Sequence, residues 1–179
     1  MTYNFLREQP KLRKMEKETN QPIDKLVEMV KDIKVCMLIT KEINSENISG
    51  RPMCVNKIDE DGTIWFFTKA SSFKVEQIEE NKNVFISITD EKNNNYLTIH
   101  GTATMVDDKD KMKELWSSIN KAWFPLGLED PEITLIKVVP TEANYWDNNS
   151  SDMVVLFNIL KAIASGEEYA EGEHGKINI

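Results

Sequence analysis

No apolar run in this chain approaches the roughly 18 residues needed to cross a bilayer as a helix, so no membrane-spanning segment is predicted. The first residues, MTYNFLREQPKLRKMEKE, are charged and lack the apolar stretch of a secretory signal. Cysteine is scarce. Cys36 and Cys54 fall on separate predicted strands with no metal-type spacing, which favours reduced thiols and a cytoplasmic setting. Only two histidines occur, His100 and His174, and nothing converges on either in the pattern of a metal site. Basic residues are outnumbered: 22 Lys and Arg against 30 Asp and Glu give a net charge of −8. That balance argues against a general nucleic-acid binder, which needs a basic surface to neutralise phosphates. The G-x-S-x-G elbow, the Walker loop and the G-x-G-x-x-G fingerprint are all missing.

What is present is a 40% hydrophobic chain of 179 residues, enough for one domain with a core. Residues 1–21 read as an N-terminal arm. Ile23, Leu26, Val27, Val30 and Ile33 recur at helical spacing, so a helix is predicted from Pro22 to Lys34. Short apolar strands are predicted at Val35–Thr40, Arg51–Ile58, Thr63–Thr68 and Val84–Thr89. Further strands are predicted at Tyr96–Val106, Ile133–Val139 and Glu142–Trp146. Gly101, inside a strand pattern, signals a bulge or bend. Asp107 and Asp108 offer caps for a helix from Lys109 to Lys121. Residues 148–179 are expected to hold a last apolar helix, Met153–Ser165, and a loose tail. Three strands pass before the first internal helix, which favours a mainly β, antiparallel barrel with helical additions over a doubly wound sheet.

The stretch Thr63–Asn81, TIWFFTKASSFKVEQIEEN, carries the most chemistry. Its first half is aromatic and β-branched; its second half has helical periodicity; Lys69-Ala70-Ser71-Ser72 lies between them. A strand that ends in Thr and opens a helix beside Lys74 is a candidate anion cradle. The first N–H groups of a helix point outward without partners and favour negative charge. Thr68, Ser71 and Ser72 add hydroxyl donors. The ordinary alternative is that Ser72 is simply an N-cap and that Trp65 and Phe67 are core. Arg51, Lys57, Lys69 and Lys74 lie near one another in an otherwise acidic chain. Trp123-Phe124-Pro125, in a Pro- and Gly-flanked loop, is the aromatic cluster least easily assigned to a core.

These pieces together resemble the pyridoxamine-phosphate-oxidase-like, FMN-binding split-barrel superfamily, most closely its general-stress-protein branch. The resemblance runs from Pro22 to Trp146. It rests on Arg51-Pro52-Met53, Asp61 to Thr68, Ser72 to Lys74, Glu79 to Val84, His100 to Ala103, Lys121 to Pro125 and Tyr145 to Asp147. It implies a six-stranded antiparallel split barrel over residues 22–147, and a homodimer with FMN bound at the subunit interface. In the oxidase a strand Arg, a Y-T pair and an S-R-K triplet hold the flavin. Arg51 matches the first, Phe67-Thr68 the second, and Ser72 and Lys74 two members of the third. Phe73 replaces the triplet's Arg, and Asn56 stands where the oxidase has Lys, so Lys57 or Lys69 would have to compensate. Met53 would lie under the flavin ring, with Pro52 beside it, and Trp123 and Trp146 would contact flavin from the partner subunit. The oxidase's R-x-H motif is replaced by Asp147-Asn148-Asn149, which argues against vitamin B6 oxidation. The implied function is a flavin-dependent oxidoreductase of stress response, with NAD(P)H or a small molecule as redox partner and no catalytic acid or base assigned. The alternatives are a non-catalytic flavin carrier or regulatory module, and a barrel that has lost its cofactor.

Overall fold

In the computed structural model, which describes residues 21–147 and 173–179, the chain is organised by one antiparallel sheet. Helix α1 (Gln21–Val30) precedes it and buries Leu26 and Val30 in the core. The helix stops short of the predicted Lys34 because the Lys34 carbonyl accepts the Val55 N–H at 3.0 Å, which commits that residue to the sheet. Strands β1 (Val35–Lys41) and β2 (Ile48–Cys54) form the first hairpin, Lys41 pairing with Ile48 and Val35 with Cys54. The short β3 (Lys57–Ile58) and β4 (Ile64–Lys69) form the second, around a turn in which Gly62 has φ 83°. Helix α2 (Phe73–Glu80) follows, then β5 (Asn83–Asp90) and β6 (Asn95–Val106). Helix α3 (Lys109–Leu115), β7 (Ile133–Asp147) and β8 (Glu173–Asn178) complete the described chain.

The strand order is β2-β1-β5-β6-β7-β4-β3, with β8 added on β7. Its two ends, β2 and β3, are separated in sequence only by Val55-Asn56. The single strand predicted over Arg51–Ile58 therefore divides, its first part pairing with β1 and its last two residues with β4. That division curls the sheet into a half-barrel, because consecutive residues must serve opposite edges. The described residues hold eight strands rather than the six the family resemblance implied. The excess comes from this division and from β8.

Two apolar clusters hold the sheet. The larger lies inside the curl, where Leu38, Ile64, Phe66, Ile86, Ile99 and Ile136 are fully buried. The smaller lies outside β4 and β7, where Trp65, Phe67 and Leu135 meet Met112 and Leu115 of α3 and Phe124. Strand β4 is thus buried on both faces, which explains its unbroken apolar run where one solvated face would have given alternation.

Strands β6 and β7 pair along their length, but the register slips between His100 and Gly101. His100 faces Glu142 while Gly101 faces Pro140, leaving Thr141 as the extra residue of a bulge. A Cβ on Gly101 would meet the Val139 carbonyl and Val138 Cγ1 at 2.8 Å, so only glycine fits. Pro140, which has no N–H to give to a ladder, is accommodated at this bulge. The two strands predicted on either side of Pro140 are therefore one. The tail, predicted to be loose, forms β8 at Glu173–Asn178, with His174 opposite Trp146. The arm over residues 1–20 and the helix predicted at Met153–Ser165 lie outside the described residues. No described helix is long and apolar enough to cross a membrane.

Candidate functional site

A cleft of about 630 Å³ opens where β2, the end of β4, the start of α2 and the segment after α3 converge. Its polar end is built by parity. Thr40, Ser49 and Arg51 sit on the inward face of the first hairpin, in register with Ser49, Thr40 and Leu38 respectively. Across from them, Thr68 lies next to the end of β4, Ser72 stands at the N-cap of α2, and Lys74 is in its first turn. Arg51 and Lys74 are both half-buried, and both line the cleft.

The hydroxyls and cations of this end interlock. Lys74 Nζ donates to Thr68 Oγ1 at 3.1 Å, and Thr68 Oγ1 shares a hydrogen bond with Ser72 Oγ at 3.2 Å. Ser72 occupies the N-cap position of α2 but makes no side-chain cap bond. Its hydroxyl faces Thr68, so the first N–H groups of the helix lack a side-chain cap. Arg51 Nη2 donates to Gln77 Oε1 at 2.8 Å and to Ser49 Oγ at 3.1 Å, while Nη1 donates to Thr40 Oγ1 at 2.5 Å. No ion pair among the described residues involves Arg51 or Lys74. Burial lowers the pKa of both side chains, and for Lys74 the neighbouring Arg51 charge lowers it further. Two cations that repel each other, with no carboxylate paired to either among the described residues, are an arrangement that an anion could relieve.

The opposite end is apolar. Pro52, Met53, Phe67, Ile119, Trp123 and Phe124 face the cleft. Phe67 anchors this wall through an edge-on contact with Trp116, ring centroids 5.7 Å apart, and a tilted one with Phe124 at 6.2 Å. The helix predicted to run to Lys121 ends at Leu115. Trp116 adopts an extended conformation, ψ 131°, that brings its ring to Phe67. A 3-10 turn, Ser118–Ala122, then carries Asn120 inward. The Asn120 carbonyl accepts the N–H groups of Trp123 and Phe124 at 3.1 and 3.0 Å. Its side-chain oxygen accepts from Asn56 Nδ2 at 3.1 Å, and Asn56 Oδ1 accepts the Phe67 N–H at 3.1 Å. Asn56 thereby continues the β3–β4 ladder with its side chain and ties the aromatic segment to it.

Of the residues singled out from the sequence, Arg51, Pro52, Met53, Phe67, Thr68, Ser72, Lys74 and Trp123 lie on this one cleft. Two do not. Ser71 is exposed, and its N–H donates to Glu132 Oε2 at 3.2 Å, outside the cleft. Trp146 sits far along β7, opposite Tyr96 and His174. Of the two lysines that could compensate for lost cations, Lys69 lines the cleft, whereas Lys57 is held by Asp59 and Glu114 at 3.1 and 2.5 Å. Phe73, at the position of the family's Arg, is 59% exposed and absent from the cleft wall. His100 lies on the outer face of the sheet, edge-on to Phe85 at 4.4 Å, and not in the cleft. No group of three or more His, Cys, Asp or Glu among the described residues could hold a metal. Thr40, Gln77 and Asn120 were not anticipated. Thr40 and Gln77 each lie on a strand or helix that reads as ordinary core, and Asn120 falls inside a predicted helix.

Residues 21–170 match the family model described as pyridoxamine 5'-phosphate oxidase like. A structure from Jannaschia sp. CCS1, described as a putative general stress protein 26, covers 90% of this chain and 99% of its own at 22% identity, with a TM-score of 0.71. The general stress FMN/FAD binding protein of Xanthomonas citri covers 74% of this chain and 93% of its own at 24% identity, with a TM-score of 0.63. Protein bli-3 of Neurospora crassa is 22% identical over 157 residues, 83% of this chain and 75% of that protein. The structural likenesses establish the split-barrel fold.

Proposed function

The chain belongs to the pyridoxamine 5'-phosphate oxidase like family, and on that footing we propose that it binds flavin mononucleotide in the cleft and acts as a flavin-dependent oxidoreductase of general stress response. The observation that carries this reading is the pair Arg51 and Lys74, two half-buried cations with no acidic partner among the described residues, at one end of an otherwise apolar cleft. A phosphate carrying nearly two negative charges would relieve their mutual repulsion. Thr68 and Ser72 hydroxyls would complete its shell, with Lys69 at the rim. Pro52, Met53 and Phe67 offer the flat apolar surface an isoalloxazine ring needs. When bound, the flavin supplies hydride and electron transfer, while the protein sets access and potential. Residues 22–147 would form the flavin domain, extended by β8.

The same geometry supports a homodimer with the flavin between subunits. Ile119 and Trp123 line the cleft yet are 59% and 51% exposed, so one chain leaves a bound ring half open to water. Trp146, remote from its own chain's cleft, would approach the flavin of the other subunit. True pyridoxamine-phosphate oxidation is not expected, since no Arg or His follows Trp146 in Asp147-Asn148-Asn149. A second reading, a non-catalytic flavin carrier, is favoured by one feature: among the described residues, the cleft wall contains no Asp, Glu or His to move a proton.

The absorbance spectrum of the purified, desalted protein tests the reading. Flavin bands, or their appearance after adding FMN, are expected. A colourless protein that takes up no FMN would overturn it. Anaerobic bleaching by NADH or NADPH would mark an oxidoreductase; a spectrum unmoved by either would favour the carrier.

A further inference from the structure

Among the described residues, Arg51 is held at the cleft by neutral acceptors alone. Three bonds, to Thr40, Ser49 and Gln77, engage three of the five guanidinium N–H donors. Gln77 is the least expected of the three acceptors. It is fully buried on α2, beside the buried Val75 and Ile78. Its Oε1 accepts both Arg51 Nη2 at 2.8 Å and the Thr40 hydroxyl at 2.6 Å. Its Nε2 has no hydrogen-bond partner among the described residues. Turning the amide over would set its NH2 against the Arg51 donor and lose the bond that fixes it. A buried donor left unmatched is costly, so the position retains a polar residue at a cost that packing alone would not justify.

A carboxylate at this position would grip a guanidinium more strongly than an amide does, through charge-assisted hydrogen bonds. It would also cancel the charge. Gln77 holds Arg51 in place and leaves its charge for whatever enters the cleft. From this geometry we infer that Gln77, with Thr40 bridging to it, is the positioning residue that seats Arg51 against the ligand's phosphate while keeping the Arg51 charge unpaired. The inference rests on the flavin mononucleotide reading for the ligand's identity, though not for its anionic character.

The experiment compares wild type, Gln77→Glu and Gln77→Met, each first checked for a native circular dichroism spectrum. Affinities are measured for FMN, riboflavin and inorganic phosphate, with the Arg51 side-chain 15Nε resonance followed in the phosphate titration. In Gln77→Glu the introduced carboxylate pairs with Arg51. FMN should bind about tenfold or more weakly while riboflavin binding stays within about twofold. Gln77→Met removes the seat without adding charge, and should also weaken FMN selectively. It tests the proposal even if the buried carboxylate of Gln77→Glu prevents folding. In wild type, phosphate should shift the Arg51 resonance; in both variants that shift should shrink. Unchanged FMN affinity in a folded variant would overturn the positioning role and leave the flavin reading intact. An equal loss for FMN and riboflavin would also overturn it, since that is what a merely structural residue would give. A wild type that binds phosphate at Arg51 but no flavin would sink the flavin reading and leave the positioning role standing. A wild type that binds neither would sink both.

Discussion

Lys74 is a half-buried ammonium that donates to a threonine hydroxyl, feels the charge of Arg51, and pairs with no carboxylate among the described residues. If it faces the flavin phosphate, Lys74→Ala should cost roughly 1.5–3 kcal/mol of FMN affinity, the range for a hydrogen bond to a charged group. Riboflavin, which lacks the phosphate, should bind nearly as before; isothermal titration with both ligands separates the outcomes. Asp59 supports the outer cluster rather than the cleft. Burial alone would raise its pKa, but the Trp65 indole N–H at 2.7 Å together with Lys57 and Lys111 outweighs burial, and the net shift is downward. A carboxyl that titrates lower in the folded state than in the unfolded one adds stability above its unfolded pKa and loses it as pH falls through the folded value. Urea midpoints should therefore fall for Asp59→Asn at neutral pH and converge with wild type in strong acid. A gap that persisted unchanged into acid would show that the charge plays no part. Residue types announced the cation end, since Arg51, Thr68, Ser72 and Lys74 stand out in the chain. They did not announce Gln77, because a glutamine inside a short helix has no signature until its neighbours are known.

At the scale of elements, the aromatic segment after α3 is the part that folding reorganised most. Periodicity predicts a helix to Lys121, and the chain leaves the helix at Trp116, whose extended backbone accompanies an edge-on ring contact with Phe67. The segment is then tied down through Asn120, whose side chain joins Asn56 and whose carbonyl accepts the next two aromatic N–H groups. Asn120→Ala removes the side-chain tether and keeps the carbonyl. Hydrogen exchange should quicken at residues 117–125 and stay unchanged in β5 and β6. Affinity for FMN and riboflavin should fall together, by about fivefold for one lost hydrogen bond, in contrast to the phosphate-selective loss at Lys74. Unaltered exchange in that segment would refute the tether. Asn56 illustrates how far one sequence can be read. Its departure from the family's Lys was visible as a missing cation, but its use as a side-chain extension of the β-ladder depended on where β3 begins.

The whole molecule presents a sheet whose outer face is apolar at Val35, Met37 and Phe85, which are 52%, 40% and 39% exposed, beside a cleft with a half-solvated aromatic wall. Both features are consistent with a second copy of the chain. Light scattering at micromolar concentration should give a dimer mass; a monomer that still retained FMN would contradict the shared cleft. The sequence by itself determined the mainly β antiparallel character and the bulge glycine, because alternation and backbone freedom are local properties. It also determined which residues could answer an anion. Only the tertiary structure decided that Arg51 and Lys74 line one cleft, since they lie on different elements brought together by the curl of the sheet. It also decided that Ser71 and Trp146 lie elsewhere, that Pro140 is crossed by a continuous strand, and that the tail becomes β8. Each of those outcomes depends on pairing between segments far apart in sequence, where the partner's register and not the local pattern selects the conformation.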